Sequence, residues 1–388
     1  MHRMTPVGKQ PLSISMRAIG LMSGTSLDGI DIALMETDGA DRVRRICGVT
    51  DAYPDDFKAR LRGALHDAVG MTDRTARPGS LGAIEQELTE RHANALLRFM
   101  GNLTLQPSSV DLVGFHGQTV LHRPARGPAM GPAQGLTVQL GDGVLLSKLT
   151  GIDVVYDLRA ADIAAGGQGA PLVPVYHRAL AASLPQRPGA FVNIGGVANV
   201  TWIGADGHMV AFDTGPGNAM IDDWMAAKAG LGCDTDGAAA AQGRVHEDYV
   251  AEYLRHSHFS APAPKSLDRN AFPVKMIDPL SLEDGAATLT GCTVAAIARA
   301  REHMPAEPLL WVVAGGGRRN RTLMSMLAGR VENAVVPAEA VGLDGDSMEA
   351  EAWAYLAVRS YRGYPLTYPG TTGVDKPTRG GVLVRAGA

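Results

Sequence analysis

The stretch "GLMSGTSLDGIDIAL", Gly20 to Leu34, sets three hydroxyls, interior glycines and two carboxylates between two apolar runs. Its flanks, "MRAIGLM" and "GIDIALMET", read as strands, which makes the polar centre the tip of a β-hairpin. A turn explains the glycines but not so many functional groups. Successive backbone N–H groups in such a bend form a concavity for anions, so Gly24, Thr25 and Ser26 suit phosphate oxygens, in a segment that runs on through Leu27, Asp28, Gly29, Ile30 and Asp31. Asp28 and Asp31 suit Mg²⁺, which takes few carboxylates and keeps several waters. The chain has 47 glycines, many in short polar clusters. Other bends of this kind are therefore expected.

The bulk properties remove several function classes. At 388 residues the chain is long enough for two domains. Its 45% apolar and 20% charged residues are an ordinary globular composition. A net charge of -4 offers no general attraction to nucleic acid or an anionic membrane, and no basic tail is present. The three cysteines, Cys47, Cys233 and Cys292, form no C-x-x-C pair, which suits a reducing cytoplasm. No apolar run approaches the length of a membrane span. Residues 1–16 have no hydrophobic region of a signal peptide and read as a disordered lead.

Further along, residues 55–70 and 81–101 carry helical spacing, with Ile84, Leu88, His92, Ala95 and Leu96 on one face. "VDLVGFHGQTV" reads as a buried strand, and "LTVQLGDGVLLSKLTG" as a strand and a short helix ending at Gly151. "GAFVNIGGVANVTWIG" gives two strands around a Gly-Gly turn, and "MVAFDTGPGNAMIDDWMAAKAG" gives strand, loop and helix. "AATLTGCTVAAIARAREHM" is a helix, "LLWVVAGGGRRNRTLMSMLAG" is strand, turn and helix, and "DSMEAEAWAYLAVRSYRG" is an amphipathic helix capped by Ser347 or Asp346. Both halves open with a glycine-tipped hairpin, a weak sign of duplication. The expected organisation is an α/β N-terminal lobe over 17–155 and a C-terminal lobe over 156–388, whose last segment can return to the first lobe.

Common signatures fail. There is no G-x-x-x-x-G-K-S/T, G-x-S-x-G or H-E-x-x-H, and "GPGNAM" lacks the third glycine of a dinucleotide fingerprint. His256 and His258 lack metal-ligand spacing and read as surface histidines. Two more glycine bends remain. In "FDTGPGN", Asp213 at a strand end precedes Gly215, Gly217 and Asn218 and then a helix, setting a carboxylate beside amides able to meet an anion. In "VVAGGGRRN", Gly315, Gly316 and Gly317 let a flat ring approach the backbone, with Arg318 or Asn320 nearby.

A hairpin phosphate loop, an Asp-Thr-Gly loop and a Gly-Gly-Gly loop in this order resemble the two-lobed actin, hexokinase and sugar-kinase superfamily, with its central interdomain cleft. Within it, "GLMSGTSLDGIDIAL", "FHGQTVLHRP", "ADIAAGGQGAPLVPVYH", "VNIGGVANVT", "FDTGPGNAMIDDW", "VAGGGRRN" and "DGDSMEAEAWAYLAVR" are similar to the anhydro-N-acetylmuramic acid kinases, from about residue 17 to 384. That resemblance implies a bacterial, commonly homodimeric enzyme of peptidoglycan recycling. Such an enzyme uses ATP, Mg²⁺ and water to open 1,6-anhydro-N-acetylmuramic acid and form N-acetylmuramic acid 6-phosphate. The alternatives are another sugar kinase of the superfamily and a non-catalytic ATP-binding regulator.

Opening the anhydro bridge needs a base to activate water at the anomeric carbon, as in inverting glycosidases. Asp213 matches the family's catalytic aspartate. Glu349 matches a glutamate near the sugar, against the alternative of a solvated helix-face charge shared with Glu351. Arg159 and Gln168 suit the sugar's lactyl carboxylate or hydroxyls. His116 and Gln118 sit at a strand end facing the same cleft, where a buried structural histidine is an equal alternative. Asp162 is the rival base. The "DLRAAD" segment carries fewer basic residues than is usual in the family, which implies a weaker charge contact with substrate.

Overall fold

Apolar residues on both faces of the first hairpin place it inside a sheet. Strand β1 (Met16–Ser23) pairs antiparallel with β2 (Gly29–Thr37), Ile19 opposite Leu34 and Ser23 opposite Ile30. Ile19, Leu21, Ile30 and Ile32 enter one core, while Ala18, Met22, Ala33 and Met35 enter another on the opposite face. These relations come from a computed structural model that describes residues 14–24, 27–124, 135–267, 272 and 277–387. Most of the expected disordered lead, residues 1–13, lies outside the described residues.

Strand β3 (Val43–Ala52) extends the meander and forms one edge of the sheet. It was not expected from the sequence. "VRRICGVTDA" is only partly buried, and its Arg44 and Arg45 mark an edge strand, which charge protects from further pairing. On the other side β1 runs parallel to β4 (Leu112–Arg123), which runs parallel to β6 (Val154–Tyr156) and antiparallel to β5 (Leu136–Leu140). Helices α1 (Asp55–Ala68), α2 (Leu81–Asn102) and α3 (Gly143–Thr150) cover one face. Gly151 closes α3 in a left-handed conformation, as its position after the apolar run predicts. The short helices α4 (Ala160–Ala164) and α5 (Pro174–Ala181) lead to the second sheet.

That sheet repeats the first. Strands β7 (Gly189–Ile194), β8 (Val197–Ile203) and β9 (Met209–Pro216) form an antiparallel meander. A helical layer follows: α6 (Ala219–Ala229), α7 (Glu247–Tyr253), α8 (Ser257–Ser260) and α9 (Leu282–Arg299). Strand β10 (Leu310–Ala314) then lies parallel to β7, and after α10 (Arg321–Val331), β11 (Ala334–Pro337) lies parallel to β10. The orders β3-β2-β1-β4-β6 and β9-β8-β7-β10-β11 are one pattern used twice. This is the two-lobed actin-like, sugar-kinase architecture, and the duplication is topological.

Helix α11 (Met348–Tyr361) joins the two lobes; α12 (Pro369–Thr372) and β12 (Val382–Val384) follow it, β12 pairing with β6 at the edge of the first sheet. α11 shares one core with β1, β2, α5, β7 and β10, so it lies between the sheets and is not amphipathic: Ala350 to Arg359 are all buried. It approaches the first sheet over Gly20 and Gly114, which face each other in register. A Cβ would fall 1.8 Å from the Ala350 carbonyl oxygen at Gly20 and 2.1 Å from that of Trp353 at Gly114. Only glycine admits that approach. Ser347 is the N-cap of α11, as one of the two expectations has it, but its side chain makes no capping hydrogen bond. The Asp344 carboxylate accepts from the Asp346 and Ser347 amides at 3.0 and 3.2 Å instead.

Candidate active site

The described residues of the first bend anchor it in the core. Leu27, at φ 60°, donates its N–H to Gly24 and buries its side chain; Ile30 is also buried. These two contribute backbone only. Thr25 and Ser26 lie outside the described residues. Gly29 packs against the Asp51 carbonyl of β3, and Asp28 is exposed. Asp31 accepts from the Thr50 hydroxyl at 2.5 Å. Burial pushes its carboxyl up from the ordinary value against that bond, and Asp346 and Asp28 add to the effect. Gln118 does not contact the cleft cavity: it is fully buried and accepts from the Ser23 hydroxyl at 2.6 Å, which in turn accepts from Tyr53 at 3.0 Å. It braces the end of β1.

The second and third bends meet around Ile194. The Asn218 amide donates to the Gly195 carbonyl at 2.7 Å and its side chain to the Ile194 carbonyl at 3.3 Å; Gly217 abuts Gly195 and Gly317 abuts Ile194. Gly316 faces the Asn218 amide, whereas Gly215 packs into the helical layer against Ala296 and Tyr253. Gly315 has φ 73°, and a Cβ there would lie 2.3 Å from Asn193 Oδ1. Asn320 is taken up as the N-cap of α10, accepting from the Leu323 amide at 2.9 Å. Arg318 is likewise engaged, with Glu339 at 2.8 Å and Asp346 at 2.9 Å.

Asp213, Glu349 and Arg159 line one cavity of about 160 Å³, together with Asn193, His177 and Met348. It opens between the sheets at the N-terminal end of α11. Asp213 Oδ2 accepts from the Leu267 amide at 2.8 Å, and Oδ1 has no hydrogen-bond partner among the described residues. Burial pushes the carboxyl up to about 7, against the Leu267 bond. Its main chain is held by the Lys265 carbonyl at 2.9 Å and by His258 Nε2 at 2.8 Å. His258 is therefore a buried support of the bend and not a surface residue.

Glu349 accepts from Asn193 Nδ2 at 3.1 Å, a bond between α11 and β7. Burial and then Asp31 raise its pKa, while Arg159 and Asn193 oppose them. Glu351 is buried on the Tyr176 hydroxyl at 2.7 Å, and Glu349, half-buried, is tied to Asn193; neither is a freely solvated helix-face charge. Arg159 donates to His116 Nε2 at 3.0 Å and to the Gly169 carbonyl at 2.8 Å. Burial lowers its pKa to about 10. Gln168 accepts from the Ser266 hydroxyl at 3.1 Å, beside the Asp213 support segment. The rival base Asp162 is fully engaged, accepting from the Gly169 amide at 2.7 Å and the Thr372 hydroxyl at 2.6 Å. It clamps the glycine loop before α5.

Residues 16–386 match the family model described as anhydro-N-acetylmuramic acid kinase. The chain belongs to the anhydro-N-acetylmuramic acid kinase family. Proteins named anhydro-N-acetylmuramic acid kinase from Brucella canis and Agrobacterium fabrum are each 51% identical to it, across 95% of this chain and 98% of theirs. One from Methylobacterium nodulans is 52% identical, across 95% of this chain and the whole of its own. Among solved structures, a xylulose kinase from Lactobacillus acidophilus aligns with TM-score 0.46 at 9% identity over 89% of both chains. The fold assignment rests on the repeated strand order instead. For this member of the anhydro-N-acetylmuramic acid kinase family, reading the sequence residue by residue missed Asn193, His258 and the Leu267 amide. A polar residue inside the apolar strand "FVNIGG" was the available signal for Asn193; the other two depend on a loop fold with no local signature.

Proposed function

We propose that this chain is an ATP-dependent kinase that opens 1,6-anhydro-N-acetylmuramic acid with water and phosphorylates it to N-acetylmuramic acid 6-phosphate. Family membership over nearly the whole chain supports the reaction class. The observation that carries the mechanism is Asp213: one oxygen is held by Leu267, the other has no partner among the described residues, and the residue lines a cavity with Arg159 and Glu349. A base with a pKa near 7 is matched to proton abstraction from water at neutral pH. In this reading Asp213 takes a proton from water as its oxygen bonds to the anomeric carbon. The bond from that carbon to the bridging oxygen breaks, and the oxygen, left on C6, accepts the phosphoryl group. Glu349, tied to Asn193, orients the sugar, and Arg159 meets its carboxylate.

The contacting bends Gly195–Gly196, Gly217–Asn218 and Gly315–Gly317 are the nucleotide site of this reading; glycine lets them pack on one another, since a Cβ at Gly315 or Gly317 would clash with Asn193 or Ile194. Among the described residues no group of three or more His, Cys, Asp or Glu is arranged to hold a metal ion. Mg²⁺ takes one or two carboxylates with phosphate and water, and Asp31 and Asp28 are the carboxylates that would hold it. Bound ATP supplies the phosphoryl group, and Mg²⁺ shields its charge. No described helix is long and apolar enough to cross a membrane; a cytoplasmic homodimer acting in peptidoglycan recycling completes the proposal.

The test is ADP release in the presence of the anhydro-sugar. Wild-type enzyme should release one ADP per sugar 6-phosphate formed. Asp213→Asn should lose turnover while still binding ATP. Near-normal turnover by that variant, or ADP release only with a sugar lacking the anhydro bridge, would refute the assignment.

A further inference from the structure

We propose that His116 is a positioning residue that aims the Arg159 guanidinium at a carboxylate on the sugar, so that the pair gives the site its preference for an acidic substrate. The inference rests on the sugar-kinase reading above and extends it to substrate selection. It begins with proton placement. His116 Nδ1 lies 2.8 Å from the Gly117 carbonyl oxygen and so carries the hydrogen; Nε2, 3.0 Å from Arg159 Nε, must then be the bare acceptor, because arginine only donates. A histidine in this place is a neutral acceptor and has no ring nitrogen left for substrate. Its burial and the adjacent Arg159 charge both disfavour protonation, holding its pKa well below the usual value.

Both side chains share one platform. The His116 ring stacks on Trp353 of α11 with centroids 4.2 Å apart, and the Arg159 guanidinium lies 5.1 Å from the Trp353 ring centroid. Trp353 is one helical turn from Glu349, so the platform and the cavity glutamate belong to the same face of α11. With Nε fixed by His116 and Nη1 by the Gly169 carbonyl, rotation of the guanidinium is blocked. Nη2 has no hydrogen-bond partner among the described residues, in a side chain that lines the cleft cavity. Glu349 does not fill this role, since its hydrogen bond goes to Asn193. The Nη1–Nη2 edge matches a carboxylate in two-point contact. The sugar's lactyl carboxylate is the group of that chemistry.

The experiment uses the full-length protein and two sugars: 1,6-anhydro-N-acetylmuramic acid, and 1,6-anhydro-N-acetylglucosamine, which lacks the lactyl carboxylate. His116→Phe keeps a ring on Trp353 but removes the acceptor, whereas His116→Gln offers an amide oxygen near the position of Nε2. His116→Phe is expected to raise KM for the acidic sugar by about tenfold or more while KM for the neutral sugar and for ATP stays within about twofold. His116→Gln should recover most of the loss. Arg159→Lys, which keeps the charge but not the fork, should narrow the preference in the same way and serves if His116→Phe does not fold. Equal KM increases for both sugars would reduce His116 to a structural residue and overturn the proposal, as would a His116→Gln variant as impaired as His116→Phe. Wild-type turnover of both sugars at equal KM would overturn the carboxylate assignment alone; turnover of neither would overturn the kinase reading with it.

Discussion

Removing the Asp213 charge should make the protein more stable above neutral pH. The carboxyl is pushed from an ordinary 3.8 to about 7 by burial, so the folded state holds its proton more tightly than the unfolded chain. Between those two values the folded protein binds more protons, and stability falls as pH rises. Below pH 3.8 both states are protonated and the group contributes nothing; above 7 the cost is complete. The move from 3.8 to about 7 corresponds to about 4 kcal/mol, an upper figure because a loosened site readmits water. Asp213→Asn keeps an oxygen for the Leu267 amide and removes the charge. Denaturant unfolding of both proteins at pH 5 and pH 8 measures the effect. The variant's advantage should grow by about 2–4 kcal/mol between those pH values. An advantage that does not change with pH would mean that Asp213 is solvated, and the argument for a base poised near neutrality would fail.

Three further outcomes follow from the same geometry. The rate at limiting sugar should fall about tenfold per pH unit below pH 7, because only ionised Asp213 accepts a proton; a flat profile from pH 5 to 8 would exclude it as the base. Gly20→Ala should destabilise the protein by on the order of 3 kcal/mol or more, since the new methyl meets the Ala350 carbonyl and neither backbone can yield; thermal unfolding reads the loss. Asp344→Ala should cost only about 1 kcal/mol, through the lost acceptor for the Asp346 and Ser347 amides.

The elements that bury an alternating or periodic set of apolar residues were legible in the sequence. The first hairpin, the helix over Ile84 to Leu96 and the strand–turn–helix around Gly315 are set by local pattern and turn chemistry. Strand β3 was not, because its partly exposed, arginine-bearing face lacks a strong apolar alternation and its pairing with β2 comes from the sheet. Helix α11 looked amphipathic because Glu349, Glu351 and Arg359 break its apolar run. Each finds a partner inside the protein: Asn193, Tyr176 and the carbonyls of Gly39 and Pro365. For the site, a carboxylate before a glycine bend marked Asp213, but nothing local separated it from Asp162. What separates them is Thr372, far along the chain, whose hydroxyl takes up one Asp162 oxygen. The pairing of His116 with Arg159 is of the same kind, since two residues 43 positions apart meet only when β4 and α4 are placed.

The central claim is that Asp213 directs water onto the sugar while the phosphoryl group passes to the bridging oxygen. Turnover in oxygen-18 water measures it directly. The first sugar phosphate formed should carry one heavy oxygen on the anomeric carbon, above the exchange seen when finished product is incubated in the same water, and none in its phosphate. Heavy oxygen in phosphate, or an anomeric oxygen no heavier than the exchange control, would contradict it.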